Sequence, residues 1–456
     1  MPVQMEIVTN NRTPVILVAG LDRDAVIRVG ESFVVAGTTL IHHDLRSVRS
    51  GAVTRTVVSV DPDGNELRTD ELIRLEHGCA SCTLRLDLLP LLRRLHRRRG
   101  VEQIVIALDC SLEPETLAWA IEHVIVADMP GYLDGPAGLD VAISATVTCV
   151  AEMDWLEAAT GDVTLAESGV LDKPDHGTSV PESEMIDDSE VDDDRTLAQV
   201  AVGQVAFADA LVVAAADPAL RDNWESARLM AVLTRLAPGA PIVMELPQRP
   251  VTALHAARLL AAIGPGARRG RVDDPHGSLL RGEPPLTPEC GVQIVEFTAD
   301  RPFHPERLHD ALDVLLDGVV CARGRVWLAT RGEEMFWLES AGGALRVSIA
   351  GRWLAATPVA ELDEVDTERR AMAALRWDDV HGDRHTSIVV LVHRADPANV
   401  AEVLRRACLD DAEMADGPTG WAGYPDPFGV FHEDPCDPDT ERADSHEAAA
   451  TREDPR

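Results

Sequence analysis

The sequence is almost without lysine, because Lys173 is the only one and arginine supplies the rest of the 42 basic side chains. Acidic residues number 77, and the formal net charge is −35. A charge of that sign and size repels phosphate backbones at long range. We therefore expect no DNA partner and no extensive RNA binding. Any phosphate site that depends on a lysine would have to use Lys173.

Long apolar runs and a disulfide framework are also missing. No apolar stretch approaches the ~20 residues that a membrane-spanning helix needs, and the start, MPVQMEIVTNNR, lacks the basic and apolar segments of a secretory signal. Eight cysteines are too sparse in 456 residues to form a disulfide framework. We expect a cytoplasmic protein that does not enter the membrane.

The first half of the chain alternates short apolar runs with helical patterns, which predicts an α/β fold with a mostly parallel sheet covered by helices on both faces. The leucines of 83–99 have helical spacing, with a kink expected at Pro90. Strands are predicted at 14–20, 32–41, 53–60, 102–109, 141–150, 209–217 and 241–246, and further helices at 196–208, 222–236 and 251–263.

Composition divides the chain into two domains. The first covers 1–264 and includes an acidic insertion, 160–195, which we expect to be mobile because it has few large apolar groups. A linker rich in proline, glycine and arginine follows at 265–290. Residues 291–431 predict an α+β domain with two helices on a mostly antiparallel sheet. The acidic tail, 432–456, is expected to be disordered.

Several long motifs of the second domain resemble the CobW-type family of zinc-metallochaperone GTPases. The motifs are RPFHPERLHDALD (301–313), GRVWLAT (324–330), GDRHTSIVVLV (382–392) and DDAEMADGPTGWAGYPDPF (410–428). The resemblance implies a P-loop-GTPase-like first domain and a CobW C-terminal domain. It also implies that guanine nucleotide and zinc are the ligands to look for.

The phosphate-binding loop of that family is degenerate in this chain. Where the family has a glycine-rich loop ending in Gly-Lys-Thr-Thr, this sequence reads GLDRDAVIRV, and only Gly20 remains. Alignment on Gly20 puts Val26 at the lysine and Ile27 at the hydroxyl that binds Mg²⁺, the groups on which the phosphate cradle depends. Asp22 and Asp24 would repel phosphate. The resemblance thus points to a degenerate P-loop.

The other nucleotide motifs are eroded as well. Ser111 remains from a Glu-Ser/Thr-Gly segment, and Asp217 remains from the Asn-Lys-x-Asp motif that reads the guanine base. We expect no catalytic residues and no bound GTP, and interpret the domain as a pseudo-GTPase. The alternative is a non-standard nucleotide pocket in which Arg23 or Arg28 replaces the lysine.

A cysteine pair stands at a helix entrance in EHGCASCTLR, residues 76–85. The spacing of Cys79 and Cys82 lets two thiolates reach one zinc ion, but a closed tetrahedral site needs four ligands. His77, Cys110 and Cys149 are candidates for the others. The helix start and the following arginines favour thiolate, so a redox pair is an alternative. A further alternative is that the two cysteines bind no metal and have no redox role.

A second candidate for metal binding is the pair His42-His43, which stands near the end of a predicted strand. Imidazole is a common zinc ligand. We interpret the pair instead as an exposed strand end.

One branch of the family resembles this chain over nearly its whole length, namely the mycobacterial proteins that recruit a ribosome hibernation factor under zinc starvation. The matching segments are GCASCT (78–83), LRLDLLPLLRRLHRRRG (84–100), WLESAGGALRV (337–347) and PFGVFHEDPCDP (427–438). The resemblance implies a non-catalytic adaptor that brings a hibernation-promoting factor to the ribosome, through the small subunit, with zinc sensed at the cysteine pair. The alternatives are a nucleotide-using zinc metallochaperone and a thiol redox protein.

Overall fold

The computed structural model describes residues 12–75, 83–170, 194–246 and 248–429. The cysteine-pair loop, most of the acidic insertion and the acidic tail lie outside these residues. No helix of the described residues has both the length and the apolar character needed to cross a bilayer.

An eight-stranded sheet forms the first domain, with the order β10-β9-β8-β1-β5-β2-β3-β4. The six strands from β10 to β2 are parallel, and β3 and β4 extend the sheet as an antiparallel hairpin. The strands are β1 Thr13–Gly20, β2 Thr38–Asp44, β3 Ala52–Val60, β4 Glu66–Arg74, β5 Gln103–Ala107, β8 Val141–Ala151, β9 Ala210–Ala214 and β10 Ile242–Glu245. A separate two-stranded ribbon pairs β6 Ile125–Val126 with β7 Gly135–Pro136.

Helices cover both faces of this sheet, as predicted. They are α1 Arg23–Ser32, α2 Leu89–Arg97, α3 Pro114–His123, α4 Trp155–Thr160, α5 Leu197–Ala206, α6 Asn223–Leu236 and α7 Ala253–Ala262. α2 and α3 bury leucines and isoleucines against one face. α1 and α7 bury valines, alanines and Leu259 against the other. The mixed α/β architecture expected from the alternating pattern is confirmed.

The helix predicted over 83–99 contains an irregularity where Pro90 was expected to kink it. A π-helical turn, Leu84–Leu88, runs directly into α2. The Leu89 N–H bonds to the Leu84 carbonyl, five residues back. A local widening of this kind accommodates Pro90, which has no backbone N–H to donate.

Two local predictions were wrong or missing. The strand predicted at 32–41 begins only at Thr38, because α1 extends to Ser32 and Phe33 closes it. β4, with the sequence ELRTDELIR, has no alternating apolar pattern. Nearly all its residues are exposed on both faces of the hairpin, so burial imposed no pattern from which the strand could be predicted.

The second domain is a five-stranded antiparallel sheet with the order β11-β15-β12-β13-β14. Its strands are β11 Gln293–Ala299, β12 Val319–Val326, β13 Glu334–Ala341, β14 Ala344–Arg352 and β15 Thr386–Val392. The described residues contain four α-helices in this domain rather than the two predicted, and the last of them is kinked at Gly417. These are α8 Pro305–Ala311, α9 Thr367–Leu375, α10 Pro397–Ala407 and α11 Asp411–Trp421.

The two sheets are joined by a shared hydrophobic cluster. On one face of the second sheet, α8 and α10 pack over residues such as Phe297 and Val390. On the other face, Ile294 and Leu391 join a cluster that includes residues of α5 and α6. Because this cluster draws on both domains, burial of apolar surface fixes the second domain against the first.

Candidate functional site at the carboxyl edge of the parallel sheet

The connection between β1 and α1 is only two residues long. β1 ends at Gly20, α1 begins at Arg23, and Leu21 and Asp22 alone join them. A phosphate cradle needs a longer glycine-rich loop whose backbone N–H groups face the phosphates. The position aligned with the family's lysine, Val26, lies within α1 with no exposed surface. The junction therefore has no space for the loop and no cationic side chain in the lysine's place.

Gly20 itself is explained by packing rather than by phosphate binding. Its φ is +154°, and a Cβ atom built on it would lie 2.7 Å from the Cys149 carbonyl oxygen. Gly20 pairs with Cys149 across β1 and β8. The close approach of these two backbones therefore requires glycine here.

The N-terminus of α1 is occupied by the protein's own carboxylate. Asp22 is the N-cap, and its Oδ1 accepts a hydrogen bond of 3.1 Å from Ala25 N. Asp24 adds a second negative charge in the first turn. Helix N-termini attract anions through their free N–H groups and the helix dipole. In this helix, two aspartates supply that negative charge and oppose a phosphate.

Arg23 pairs with a buried carboxylate that follows β5, the strand next to β1. Its Nη2 lies 2.8 Å from Oδ2 of Asp109, which follows β5 and whose side chain is not exposed. Asp109 also accepts hydrogen bonds from Leu45 N at 3.1 Å and from the Ser111 hydroxyl at 2.9 Å. Ser111 therefore helps to hold Asp109, and Arg23 is already engaged by a carboxylate.

Arg28 is engaged in the same way at the far side of α1. Its Nη2 donates to Oε2 of Glu245, the last residue of β10, over 2.8 Å, and Nε donates to Oε1 over 3.2 Å. Val251 N donates to the same carboxylate at 3.1 Å. Burial alone would raise the pKa of Glu245, but these hydrogen bonds outweigh it and the pKa lies below its ordinary value. The alternative in which Arg23 or Arg28 holds phosphate would require one of these ion pairs to break.

A third ion pair lies at the carboxyl end of β8. Glu152 follows β8, and its Oε1 accepts a hydrogen bond of 2.8 Å from Arg221 Nε. Its Oε2 accepts one of 2.8 Å from Ala216 N. Asp217, the remnant of the base-reading motif, is exposed, and its Oδ1 accepts from Ala219 N at 2.9 Å. Asp217 thus stabilises its own turn.

Three carboxylates at the carboxyl ends of parallel strands are therefore each bound by an arginine. The pairs are Arg23 with Asp109, Arg28 with Glu245 and Arg221 with Glu152. Ligands of open α/β sheets bind outside this same edge. Sequence reasoning missed Asp109, Glu152 and Glu245, although each stands at or just beyond a predicted strand end.

The candidate metal ligands fall into two groups. Cys79, Cys82 and His77 lie outside the described residues. Cys110 and Cys149 are buried, on either side of β1, and have different partners. The Cys110 thiol contacts Asp109 Oδ1 at 3.7 Å, and the Cys149 thiol donates to the Ala25 carbonyl at 3.9 Å.

The chemistry of the two described cysteines favours the protonated thiol. Burial and the Asp109 carboxylate raise the pKa of Cys110 to about 12. Burial also raises the pKa of Cys149. Zinc binds thiolate, so metal binding at either residue would have to overcome this protonation. Within the described residues, no group of three or more His, Cys, Asp or Glu side chains could hold a metal ion.

His42 and His43 are buried rather than exposed, which corrects the sequence-based interpretation. His43 Nε2 lies 2.7 Å from Asp87 Oδ2, and Arg55 binds the other oxygen of Asp87. His42 Nδ1 lies 2.9 Å from the Ala107 carbonyl, and burial lowers the pKa of His42. Both rings therefore take part in hydrogen bonds that tie β2 to its neighbours.

Comparison with known proteins identifies two domains. The model for the CobW/HypB/UreG nucleotide-binding domain matches residues 31–244. The model for the cobalamin synthesis protein cobW C-terminal domain matches residues 292–408. The first match begins after the β1–α1 junction, where a phosphate-binding loop would lie.

Among curated proteins, zinc chaperone Rv0106 of Mycobacterium tuberculosis is 44% identical over 425 residues, covering 93% of this chain and 95% of that protein. The uncharacterized protein Mb0109 of Mycobacterium bovis matches equally well. Zinc-regulated GTPase metalloprotein activator 1 of Dictyostelium discoideum is 21% identical over 373 residues, covering 81% of this chain and 72% of that protein. Among solved structures, the Zn(II)-bound YjiA GTPase from Escherichia coli is 11% identical, with a TM-score of 0.34, covering 87% of this chain and 99% of that chain.

Proposed function

The chain belongs to the CobW family, and we propose that it handles zinc without using guanine nucleotide, through contacts with other proteins. One observation carries this proposal. The two-residue β1–α1 junction, with its aspartate N-cap, occupies the position where a nucleotide-using member would need its phosphate loop. Arg23 and Arg28, the cations that could replace the lysine, are held by Asp109 and Glu245.

The zinc part of the proposal is supported by chemistry and by relatives. The M. tuberculosis relative is named a zinc chaperone, and the D. discoideum relative is named a zinc-regulated GTPase. The motif GCASCT supplies Cys79 and Cys82 at zinc-ligand spacing. A site with only two or three protein ligands would keep positions open for another protein's ligands, which suits transfer better than permanent binding.

Competition with a chromophoric zinc chelator tests both parts of the proposal. We expect zinc binding to be lost in the variant Cys79→Ser with Cys82→Ser and kept in Cys290→Ser, a free cysteine of intermediate exposure that serves as the control. We also expect the zinc affinity of the unmodified chain to be the same with and without GTP and Mg²⁺. Zinc binding that GTP changes severalfold would instead support a nucleotide-using metallochaperone, as the name of the D. discoideum relative suggests.

A second candidate function is recruitment of a hibernation-promoting factor to the small ribosomal subunit. The resemblance to the recruiting branch motivates it, and the charge of −35 is compatible with it. Ribosomal proteins and factors that bind rRNA are commonly basic, and opposite charges steer such partners together more than they add affinity. In this proposal zinc bound at Cys79 and Cys82 would control the contact by ordering the loop around them.

Co-sedimentation with ribosomes tests the recruiter proposal. Purified chain and a hibernation-promoting factor are mixed with ribosomes from zinc-limited cells and pelleted through sucrose. We expect the chain to increase the amount of hibernation-promoting factor in the pellet. The variant Cys79→Ser with Cys82→Ser should change the size of that increase. An unchanged amount of factor, with the chain left in the supernatant, would reject recruitment and leave the zinc proposal standing.

A further inference from the structure

The carboxyl edge of the parallel sheet exposes large apolar side chains. Leu220 and Trp224, on the loop and helix start that follow β9, are 70% and 55% exposed. Met153, two residues beyond β8, is 48% exposed. Exposed apolar groups are unremarkable singly but indicate an interaction site when they gather in one place.

Hydrogen bonds hold together the segments that carry Met153 and Leu220. Glu152, next to Met153, binds Arg221, which lies next to Leu220. The same carboxylate accepts from Ala216 N, so the segment 214–222 is fixed over the end of β8. Asp222 caps α6 by accepting from Trp224 N at 2.8 Å. Leu220 therefore lies on a segment held by several hydrogen bonds, with Trp224 directly after it and Met153 next to the carboxylate that binds that segment.

The surroundings of these side chains are acidic. Leu21, in the β1–α1 turn, packs against the hydrophobic cluster to which Trp155 of α4 also belongs. The exposed acids of this edge are Asp22, Asp24, Asp154, Asp217 and Asp222. The nearby arginines Arg23, Arg28 and Arg221 are paired with the buried carboxylates described above. Arg228, whose guanidinium lies 5.9 Å from the centre of the Trp224 ring, is paired with Glu225. Arg249, on the loop after β10, is an exposed cation without an ion pair to a described residue. Its single positive charge does not offset the five negative charges of the aspartates.

We propose that the carboxyl-edge patch, formed by Met153, Leu220, Trp224 and these five aspartates, docks a basic, amphipathic segment of another protein. The docking proposal rests on the nucleotide-free function proposed above, because a bound triphosphate would occupy the same edge of the sheet. Apolar side chains of the partner cover Leu220 and Trp224, and its cations meet the aspartates.

A second copy of this chain is a poor occupant for the patch. Both copies would present the same aspartates, and each carries a formal charge of −35. Like charges brought together across an interface oppose association. Opposite charge is therefore the property that identifies the partner.

Fluorescence anisotropy with a defined probe tests the proposal. The probe is a fluorescein-labelled synthetic peptide of leucine and lysine at helical spacing, and the comparison peptide has glutamate in place of lysine. We expect the full chain to bind the lysine peptide and not the glutamate peptide. The double variant Leu220→Ser with Trp224→Ser should weaken binding about tenfold. The matched control, Leu133→Ser with Leu139→Ser, removes two exposed leucines from the segment before β8 and should change binding less than about twofold.

A charge variant makes the test independent of apolar substitution. The double variant Asp154→Asn with Asp217→Asn should weaken binding of the lysine peptide severalfold. The control, Asp300→Asn with Asp313→Asn in the second domain, should leave that binding unchanged. Equal weakening by target and control variants would show nonspecific attraction to an acidic protein and overturn the proposal. The proposal would also be overturned if the chain formed a dimer that the double variant Leu220→Ser with Trp224→Ser dissociated, because a second copy would then occupy the patch.

Failure of this proposal is distinguishable from failure of the proposed function. If neither the lysine peptide nor nucleotide binds, the docking proposal is rejected and the nucleotide-free function still stands. Saturable GTP binding that displaces the lysine peptide would reject the nucleotide-free function and assign the edge to nucleotide.

Discussion

Arg23 Nη2 lies 2.8 Å from Asp109 Oδ2, and this pair links the start of α1 to the end of β5. Both residues stand at the edge where a P-loop protein binds phosphate and magnesium. The arginine is bound by a carboxylate that Leu45 N and Ser111 also hold. At this edge, the positive charge of Arg23 is therefore paired with a carboxylate of the protein itself.

The Arg23–Asp109 pair should be important for stability. Arg23→Ala removes the cationic partner of a carboxylate with no exposed surface, and breaking such a pair costs about 3 kcal/mol of unfolding free energy. Urea unfolding followed by circular dichroism measures this loss. Arg68→Ala, which removes an exposed partner of Asp70, should have a much smaller effect on the unfolding free energy, because solvent screens this pair. Equal effects in the two variants would contradict a structural role for Arg23.

Gly20 should be required for folding, not for nucleotide. In Gly20→Ala the new Cβ meets the Cys149 carbonyl oxygen at 2.7 Å, so we expect a loss of about 1–3 kcal/mol in the absence of any ligand. Gly266→Ala is the control, because no heavy atom lies within 4 Å of its Cβ. Thermal unfolding compares the two. A Gly20→Ala chain as stable as the parent would show that the β1–α1 turn can relax.

Stability should fall in acid partly through Glu245. Its pKa lies below the ordinary value of 4.5 in the folded chain, so the unfolded chain binds protons more readily. This contribution is present above the unfolded pKa and is lost as the pH falls through the folded pKa. Between about pH 5 and pH 3, the urea midpoint of Glu245→Gln should therefore fall less steeply than that of the parent chain. The urea midpoint of the control variant Glu306→Gln, at an exposed position of α8, should fall with pH as steeply as that of the parent chain.

The fold was largely predictable because local patterns and burial agree. The buried runs at 141–150 and 209–217 were predicted as strands and are β8 and β9, and α5 and α6 begin within a residue of their predicted starts. The exceptions have physical causes. Phe33 and its neighbours have strand propensity, but α1 extends through Ser32. β4 is exposed on both faces and carries no apolar period.

The site was less predictable because its interactions are distant in sequence. Alignment on Gly20 showed which residues replace the phosphate-binding groups, but not that α1 begins at Arg23. Arg28 and Glu245 are 217 positions apart, and no local pattern connects them. His42 and His43 were assigned to an exposed strand end because the hydrogen bonds to Ala107 and Asp87 that bury them come from other elements.

Direct titration with a fluorescent GTP analogue in the presence of Mg²⁺ tests the central claim most directly. The account predicts no saturable signal up to millimolar nucleotide, and the same result after Arg23→Ala or Arg28→Ala. Saturable micromolar binding that unlabelled GTP displaces, and that either arginine variant weakens, would contradict it and show that the pairs with Asp109 and Glu245 open to receive phosphate.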